Sequence, residues 1–489
     1  MSEIAILGGG PAGLIAALRA RQRGHNVTVF EASSVVGGMA SSFEVAGQRV
    51  DLGSHRLHPA TDPETLSLIR SLLGVDLQER RRNGRIRLRD RWIAFPLQTK
   101  DMLRNLPLSF SSKAAFDTLA KPFRSNSNKD FESEIRQRLG PTVVNEFYGP
   151  YSRKLYGVEP SQLTTELSDR RVSASSAWTV LRNAVRTSQS DTRIFFYPKR
   201  GYGQIAEALA DAAVAEGVEI RLHSAVEQLV VGDADVQIVT SSGSTNARTV
   251  LSSIPLTSLA NALDPPPSPA VRQAIADQRT RGMLLVYLVV PRTQYTPFDA
   301  HYFPSTELST ARLSESKNYR SGDDPEEISV LCAEIPCWVG SELWNADIET
   351  LSDIVEEDLA RAGLPVTDRV HGEVRYLPSV YPVYEHSTLQ DRVTIDSWVR
   401  KATRVVTLGR QGLGVPDNLH HVLAMGAKAA SAIGPSGDID QSAWQDSLDD
   451  FASHVVQDLI RKAGGSLVTP VRFRRWLRLR KLDLNHNLL

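Results

Sequence analysis

Apolar residues fill Ile4-Ala5-Ile6-Leu7 without interruption and give way at once to glycine, the pattern of a buried strand feeding a tight turn. A helix from about Pro11 to Arg23 follows, then a second strand, Val27-Thr28-Val29-Phe30, closed by Glu31. Short strands flank Gly47, and from about Pro63 to Trp178 the spacing is mostly helical, with breaks at Pro96, Pro107, Pro141 and Pro160. Strand and helix alternate again from about residue 200: a helix over Gln204 to Glu216, then strands near 218–222, 225–231 and 250–255. The stretch Asp264 to Pro269 is a stiff, proline-rich connector. Residues 283–290 and 328–334 read as strands of a second sheet, and a helix is expected from about Ile348 to Ala362. Val405-Val406-Thr407-Leu408 ends at Gly409-Arg410 and returns the chain to its first domain, before a helix from about His421 to Ile433.

The predicted fold class is α/β, a discontinuous Rossmann-type domain with a mixed-sheet substrate domain and an inserted helical region. The expected divisions are 1–62, 197–260 and 400–440 for the nucleotide domain and 63–196 for a mainly helical insertion. Residues 261–399 would form a substrate domain with an antiparallel sheet, and 441–489 the terminal helices and a basic tail. A length of 489 residues agrees with more than one core.

Gly8, Gly10 and Gly13 hold the G-x-G-x-x-G positions, and Glu31 stands eighteen residues after the last of them. The first glycine allows the turn, the second lets backbone approach a pyrophosphate, and the third lets helix and strand pack closely. Pro11 and Ala12 open the helix, whose amino end favours a phosphate. The Glu31 carboxylate can accept from both ribose hydroxyls and would repel a 2′-phosphate.

Charge narrows the partners. Lys plus Arg equals Asp plus Glu at 56 each, so no nucleic acid is expected. Cys332 and Cys337 are too few for a disulfide framework, and no metal-ligand cluster is visible. The chain lacks a run of eighteen apolar residues and opens on a strand, so no integral membrane segment and a cytoplasmic location are expected. The tail from Arg472 to Lys481 interleaves arginines with Phe473, Trp476, Leu477 and Leu479. It reads as a helix packed on the body or as a surface for a membrane or partner. Oligomeric state is left open.

The order of that glycine run, Glu31, then Gly37-Gly38-Met39 with Ser41, resembles the amine-oxidase-like FAD superfamily. Asp51-Leu52-Gly53-Ser54-His55-Arg56-Leu57-His58 is similar to the D-x-G-x-H-x-x-H loop of protoporphyrinogen-oxidase-like proteins and UDP-galactopyranose mutases. Pro150-Tyr151 through Gly157, Tyr381-Pro382-Val383-Tyr384 and Gly409-Arg410-Gln411-Gly412 resemble further motifs of that group. Where the group shows R-Y-N-N-M-D-H, this chain has Val415-Pro416-Asp417-Asn418-Leu419-His420-His421, and Met39 replaces a frequent arginine.

The resemblance implies FAD. Gly8, Gly10, Gly13, Glu31, Gly38 and Ser41 would hold its ADP half, and Val226 would present backbone to the adenine. Gly409 and Arg410 would take the pyrophosphate and ribityl chain, with Asn418, Leu419 and His55 near the ring. His55, His58, Lys154 and Tyr384 are the candidate catalytic residues; each could instead make ordinary structural bonds. The implied reaction is oxidation of a small organic substrate by hydride transfer to the flavin, and the alternative is a redox-neutral, mutase-like reaction on a nucleotide sugar.

Overall fold

The computed structural model describes residues 2–120, 129–171 and 194–451, so the basic tail and the stretch 172–193 lie outside the described residues. Five parallel strands form the nucleotide sheet, in the order Val405–Thr407, Thr249–Ser252, Glu3–Leu7, Asn26–Phe30, Glu219–Arg221. The amino-terminal strand lies at the centre, between the nearby Asn26–Phe30 and the distant Thr249–Ser252. Its core residues Ile4, Ile6 and Leu7 are buried, as expected for a strand covered on both faces.

The helix Pro11–Gln22 is built of Ala, Leu and Ile and is buried nearly all round. It packs between the helices Gln204–Ala215 and Leu419–Ser431. Gly426 permits that contact, because a Cβ there would stand 2.2 Å from the Ala12 carbonyl oxygen.

A seven-stranded sheet faces this domain. Its order is His371–Pro382, Thr280–Val290, Ser329–Cys337, Arg312–Glu315, Ala300–Tyr302, Gly84–Leu88, Arg91–Phe95. All pairings are antiparallel except that of Ala300–Tyr302 with Gly84–Ile86. The segment expected to be a mainly helical insertion therefore contributes two strands to this sheet, and Leu77–Arg81 pairs with Ile194–Pro198 as well. Gly84-Arg85-Ile86-Arg87-Leu88 alternates buried Ile and Leu with half-buried arginines, a strand of period two in which the arginines mask the pattern. Helices Pro63–Leu73, Thr99–Asn105, Leu108–Leu119, Phe131–Leu139, Gly149–Tyr156 and Thr165–Arg171 make up most of the rest of the described insertion.

Asp51 ties the two halves together. Its Oδ1 accepts from the Ser42 hydroxyl at 2.6 Å and from Tyr202 N at 2.9 Å, and its Oδ2 from the Tyr197 hydroxyl. Tyr287, in the long strand of the second sheet, donates to the Asp51 carbonyl at 2.6 Å. Among the described residues no helix is long and apolar enough to cross a membrane, and no group of three metal-ligating side chains occurs.

Candidate functional site

Three glycine turns converge on the amino end of the helix Pro11–Gln22. Gly8 has φ +96, and a Cβ there would meet Ser253 Oγ at 2.5 Å. A Cβ on Gly13 would stand 2.1 Å from the Gly8 carbonyl oxygen, so this position holds helix and strand in contact. The second pair arrives through Gly37 N, which donates to Gly9 O at 2.9 Å, and Gly38 lies over the Gly10 Cα. The third turn, Gly409 at φ +74, abuts Ala12. Ser41 donates to Gly38 O, and Gln411 Nε2 reaches Met39 Sδ at 3.6 Å, so the second and third turns also touch.

Gly10 differs from the other glycines here. A Cβ on it would meet nothing within 4 Å, and no side chain caps the helix that begins after it. Uncapped N–H groups and an open approach suit a pyrophosphate. Glu31 is buried at the end of its strand, where Oε2 accepts from Gly9 N at 2.6 Å and Oε1 from Ser33 N at 2.8 Å. These bonds aim the carboxylate and leave each oxygen further lone pairs for a ribose. Ser224 N donates to Glu31 O and His223 N to Ser33 O, which brings the start of the strand Val226–Val231 to the same spot. The residues present thus fit a dinucleotide from its phosphates to its adenine end.

The histidine loop runs from this cradle toward the second sheet. His55 Nε2 donates to Leu52 O at 2.8 Å, and its ring stacks on Tyr202. Burial lowers its pKa. His58 Nδ1 accepts from Ala60 N at 3.0 Å, and its ring stacks on His420, with centroids 5.1 Å apart. Burial, helped by the charge of Arg82, lowers His58 to about 4. His58 is therefore neutral at physiological pH, an acceptor rather than an acid. Asn418 is the cap of the helix Leu419–Ser431, its carbonyl accepting from His421 and Val422 N, so Leu419 and His420 open that helix beside His58.

Two expected catalytic groups are engaged by backbone carbonyls. Lys154 is buried, and its Nζ donates to the carbonyls of Phe303 and Thr310 at 2.6 and 2.9 Å. Burial drops its pKa to about 7, against the raising effect of Asp358. It clasps the helix Gly149–Tyr156 to the 303–310 loop. Tyr384 donates to Gly414 O at 2.9 Å and lies under the Arg392 guanidinium. Arg410 Nη2 donates to Val380 O at 2.8 Å, with its guanidinium over the Tyr381 ring.

A cluster that motif reading passed over stands beside the histidine loop. Arg56 Nη2 lies 3.2 Å from Asp299 Oδ1, and the guanidinium reaches the hydroxyls of Tyr302 and Tyr319 at 3.4 and 3.5 Å. Arg312 forks onto Glu334 at 2.8 and 2.7 Å, and Glu334 also accepts from Ser54 N at 2.9 Å. Burial raises the Tyr302 phenol, but Arg56 and Arg312 outweigh it and the net shift is downward. Tyr151, equally buried, is raised because burial dominates there. Arg56 sat in the quoted loop, between the two histidines; Tyr302, Arg312 and Glu334 carried no local signal, since their partners lie far off in the chain or on a neighbouring strand.

A family model described as flavin containing amine oxidoreductase matches residues 11–414. The chain is 24% identical over 298 residues to a protein named as a flavin-containing monoamine oxidase, AofH, of Mycobacterium tuberculosis, covering 58% of this chain and 63% of that one. It is 29% identical over 183 residues to protoporphyrinogen oxidase 2 of Arabidopsis thaliana, covering 34% of this chain and 35% of the other. The matches span less than two thirds of either curated relative. A crystal structure of reduced UDP-galactopyranose mutase aligns with a TM-score of 0.77 at 18% identity, over 93% of this chain and 99% of that one, a likeness of fold.

Proposed function

The chain belongs to the flavin containing amine oxidoreductase family, and from that premise we propose that it oxidises a small organic substrate held between the nucleotide sheet and the seven-stranded sheet. Its cofactor is FAD, which supplies a hydride acceptor when bound. The convergence of three glycine turns on one uncapped helix end, with Gly10 open, is the observation that carries this reading.

Gly8, Gly10, Gly13, Gly38 and Ser41 are assigned the pyrophosphate and ADP half, Glu31 the ribose and Val226 the adenine. Gly409 and Arg410 are assigned the phosphate and ribityl region, and Asn418, Leu419 and His55 the ring end. His58, held neutral, accepts a hydrogen bond in the wall beside His420. Tyr302 is assigned the proton that leaves the substrate, because Arg56 and Arg312 outweigh burial and lower its pKa from the ordinary phenol value. Lys154 and Tyr384 are assigned support of the wall, since their polar atoms already serve backbone carbonyls.

A redox-neutral reaction on a nucleotide sugar is the second reading, and the buried Nε of Arg56, a donor with no partner among the described residues, favours it. Anaerobic mixing separates the two. Bleaching of the visible flavin band by a substrate, across amines, porphyrinogens and sugar nucleotides, supports oxidation. Turnover of a UDP-sugar only after chemical reduction of the protein supports the second. A purified protein that releases no FAD on denaturation refutes both.

A further inference from the structure

Arg82 follows the strand Leu77–Arg81 and precedes the strand Gly84–Leu88, at the end of three consecutive arginines. Its side chain makes no hydrogen bond or ion pair with any described residue, and its Nε is buried without a partner. The charges around it do not balance. The buried acid that acts on it, Asp299, is already engaged, with Arg56 and with Asn83 N at 3.1 Å. Arg82 is thus a second guanidinium beside the Arg56–Asp299 pair, and burial together with the charge of Arg56 lowers its pKa to about 10. A half-buried cation with unspent donors next to a like charge is costly unless an anion completes it.

Arg82 also lines a cleft of about 690 Å³, together with Arg80, Arg81, Asn83, Gln294 and Asn318; Glu79 and Asp299 are the acids of its wall. Lys317 lies there too, but its ammonium is engaged by the carbonyls of Thr293, Pro325 and Ile328. Asp299 lines the cleft and also pairs with Arg56, so the cleft lies next to the Arg56–Tyr302 wall.

We infer that this cleft, with Arg82 as its anchor, seats an oxyanion carried by the substrate, a phosphate or a carboxylate, while the reacting part extends past Arg56 to Tyr302. A planar fork of N–H donors suits such a group and can grip two of its oxygens at once. The inference rests on the proposed placement of the substrate beside Tyr302.

The test uses the FAD-loaded protein, titrated separately with inorganic pyrophosphate and with succinate at constant ionic strength, with melting temperature as the readout. A saturable rise with pyrophosphate identifies a phosphate-bearing substrate, and a rise with succinate alone a carboxylate. Arg82→Gln should weaken that binding about tenfold or more, with flavin content unchanged and the anion-free melting temperature equal to or above that of the wild type. Arg82→Lys, which keeps the charge and loses the fork, should weaken it less. If neither anion raises the melting temperature beyond sodium chloride of equal ionic strength, or if Arg82→Gln binds as well as the wild type, the inference is overturned. Flavin content, measured on the same sample, keeps the two readings apart: a yellow protein indifferent to both anions overturns only this inference.

Discussion

Replacing Gly10 by alanine separates the needs of the cofactor from those of the fold. Gly10 has φ −75 and ψ 171, extended backbone that alanine adopts without strain. The added methyl would meet no protein atom within 4 Å, whereas the same change at Gly13 drives a Cβ to 2.1 Å from the Gly8 carbonyl oxygen. Gly10→Ala should therefore leave the apoprotein intact, its melting temperature moving by less than about 3 °C, since the cap and entropy changes are each within about 1 kcal/mol. The methyl does occupy the approach of a pyrophosphate to the helix end. Loss of one hydrogen bond to a charged group costs about 1.5–3 kcal/mol, so FAD should bind about 10- to 150-fold more weakly. Titration of apoprotein with FAD, followed by flavin fluorescence, measures the affinity; melting without FAD measures the fold. An unchanged FAD affinity would refute the placement of the phosphates. A large loss of apoprotein stability would show that Gly10 is needed by the fold itself.

Lys154 sets a pH dependence. Held at about 7 by burial against an ordinary 10.5, it is neutral when folded and charged when unfolded between those values, so its contribution to stability rises with pH across that window and is lost as pH falls through about 7. Relative to Lys154→Met, the wild type should gain about 2 kcal/mol between pH 7 and 9, and parallel melting curves of the two across that range would count against it. Glu334→Gln leaves the Arg312 charge buried without its partner and should cost about 3–5 kcal/mol; adding Arg312→Met should recover part of the loss in a double-mutant melting cycle, and a purely additive cycle would show that the pair is not coupled. Tyr302→Phe should slow substrate-driven flavin bleaching by about 100-fold or more and flatten the rise of that rate with pH; an unaltered pH profile would remove Tyr302 from proton transfer.

What was legible in the chain was local. The strand, glycine turn and helix from Ile4 to Gln22 declare themselves because spacing, backbone freedom and packing all act within about one supersecondary unit. The strands Gly84–Leu88 and Arg91–Phe95 did not, because five arginines between 82 and 91 give a polar composition to a stretch whose apolar residues point inward. The Arg56 cluster was hidden for another reason. Ser54 and Glu334 are 280 residues apart, and Arg56 and Tyr302 are 246 apart, so only the pairing of distant strands creates the site. Lys154 shows the converse: the residue lies in a recognisable motif, yet its amine serves two carbonyls of a loop about 150 residues away.

The central place of the strand Glu3–Leu7 has a consequence during synthesis. One of its partners, Thr249–Ser252, leaves the ribosome about 245 residues after it, roughly 10–50 s later at ordinary elongation rates. The next strand outward, Val405–Thr407, comes a further 150 or so residues on. Ile4 and Ile6 must wait that long for cover on one flank, and Gly409 closes the cradle later still. Cofactor capture is therefore a late event in the life of each nascent chain, and FAD arriving then would lock a sheet whose first strand was the earliest to be made.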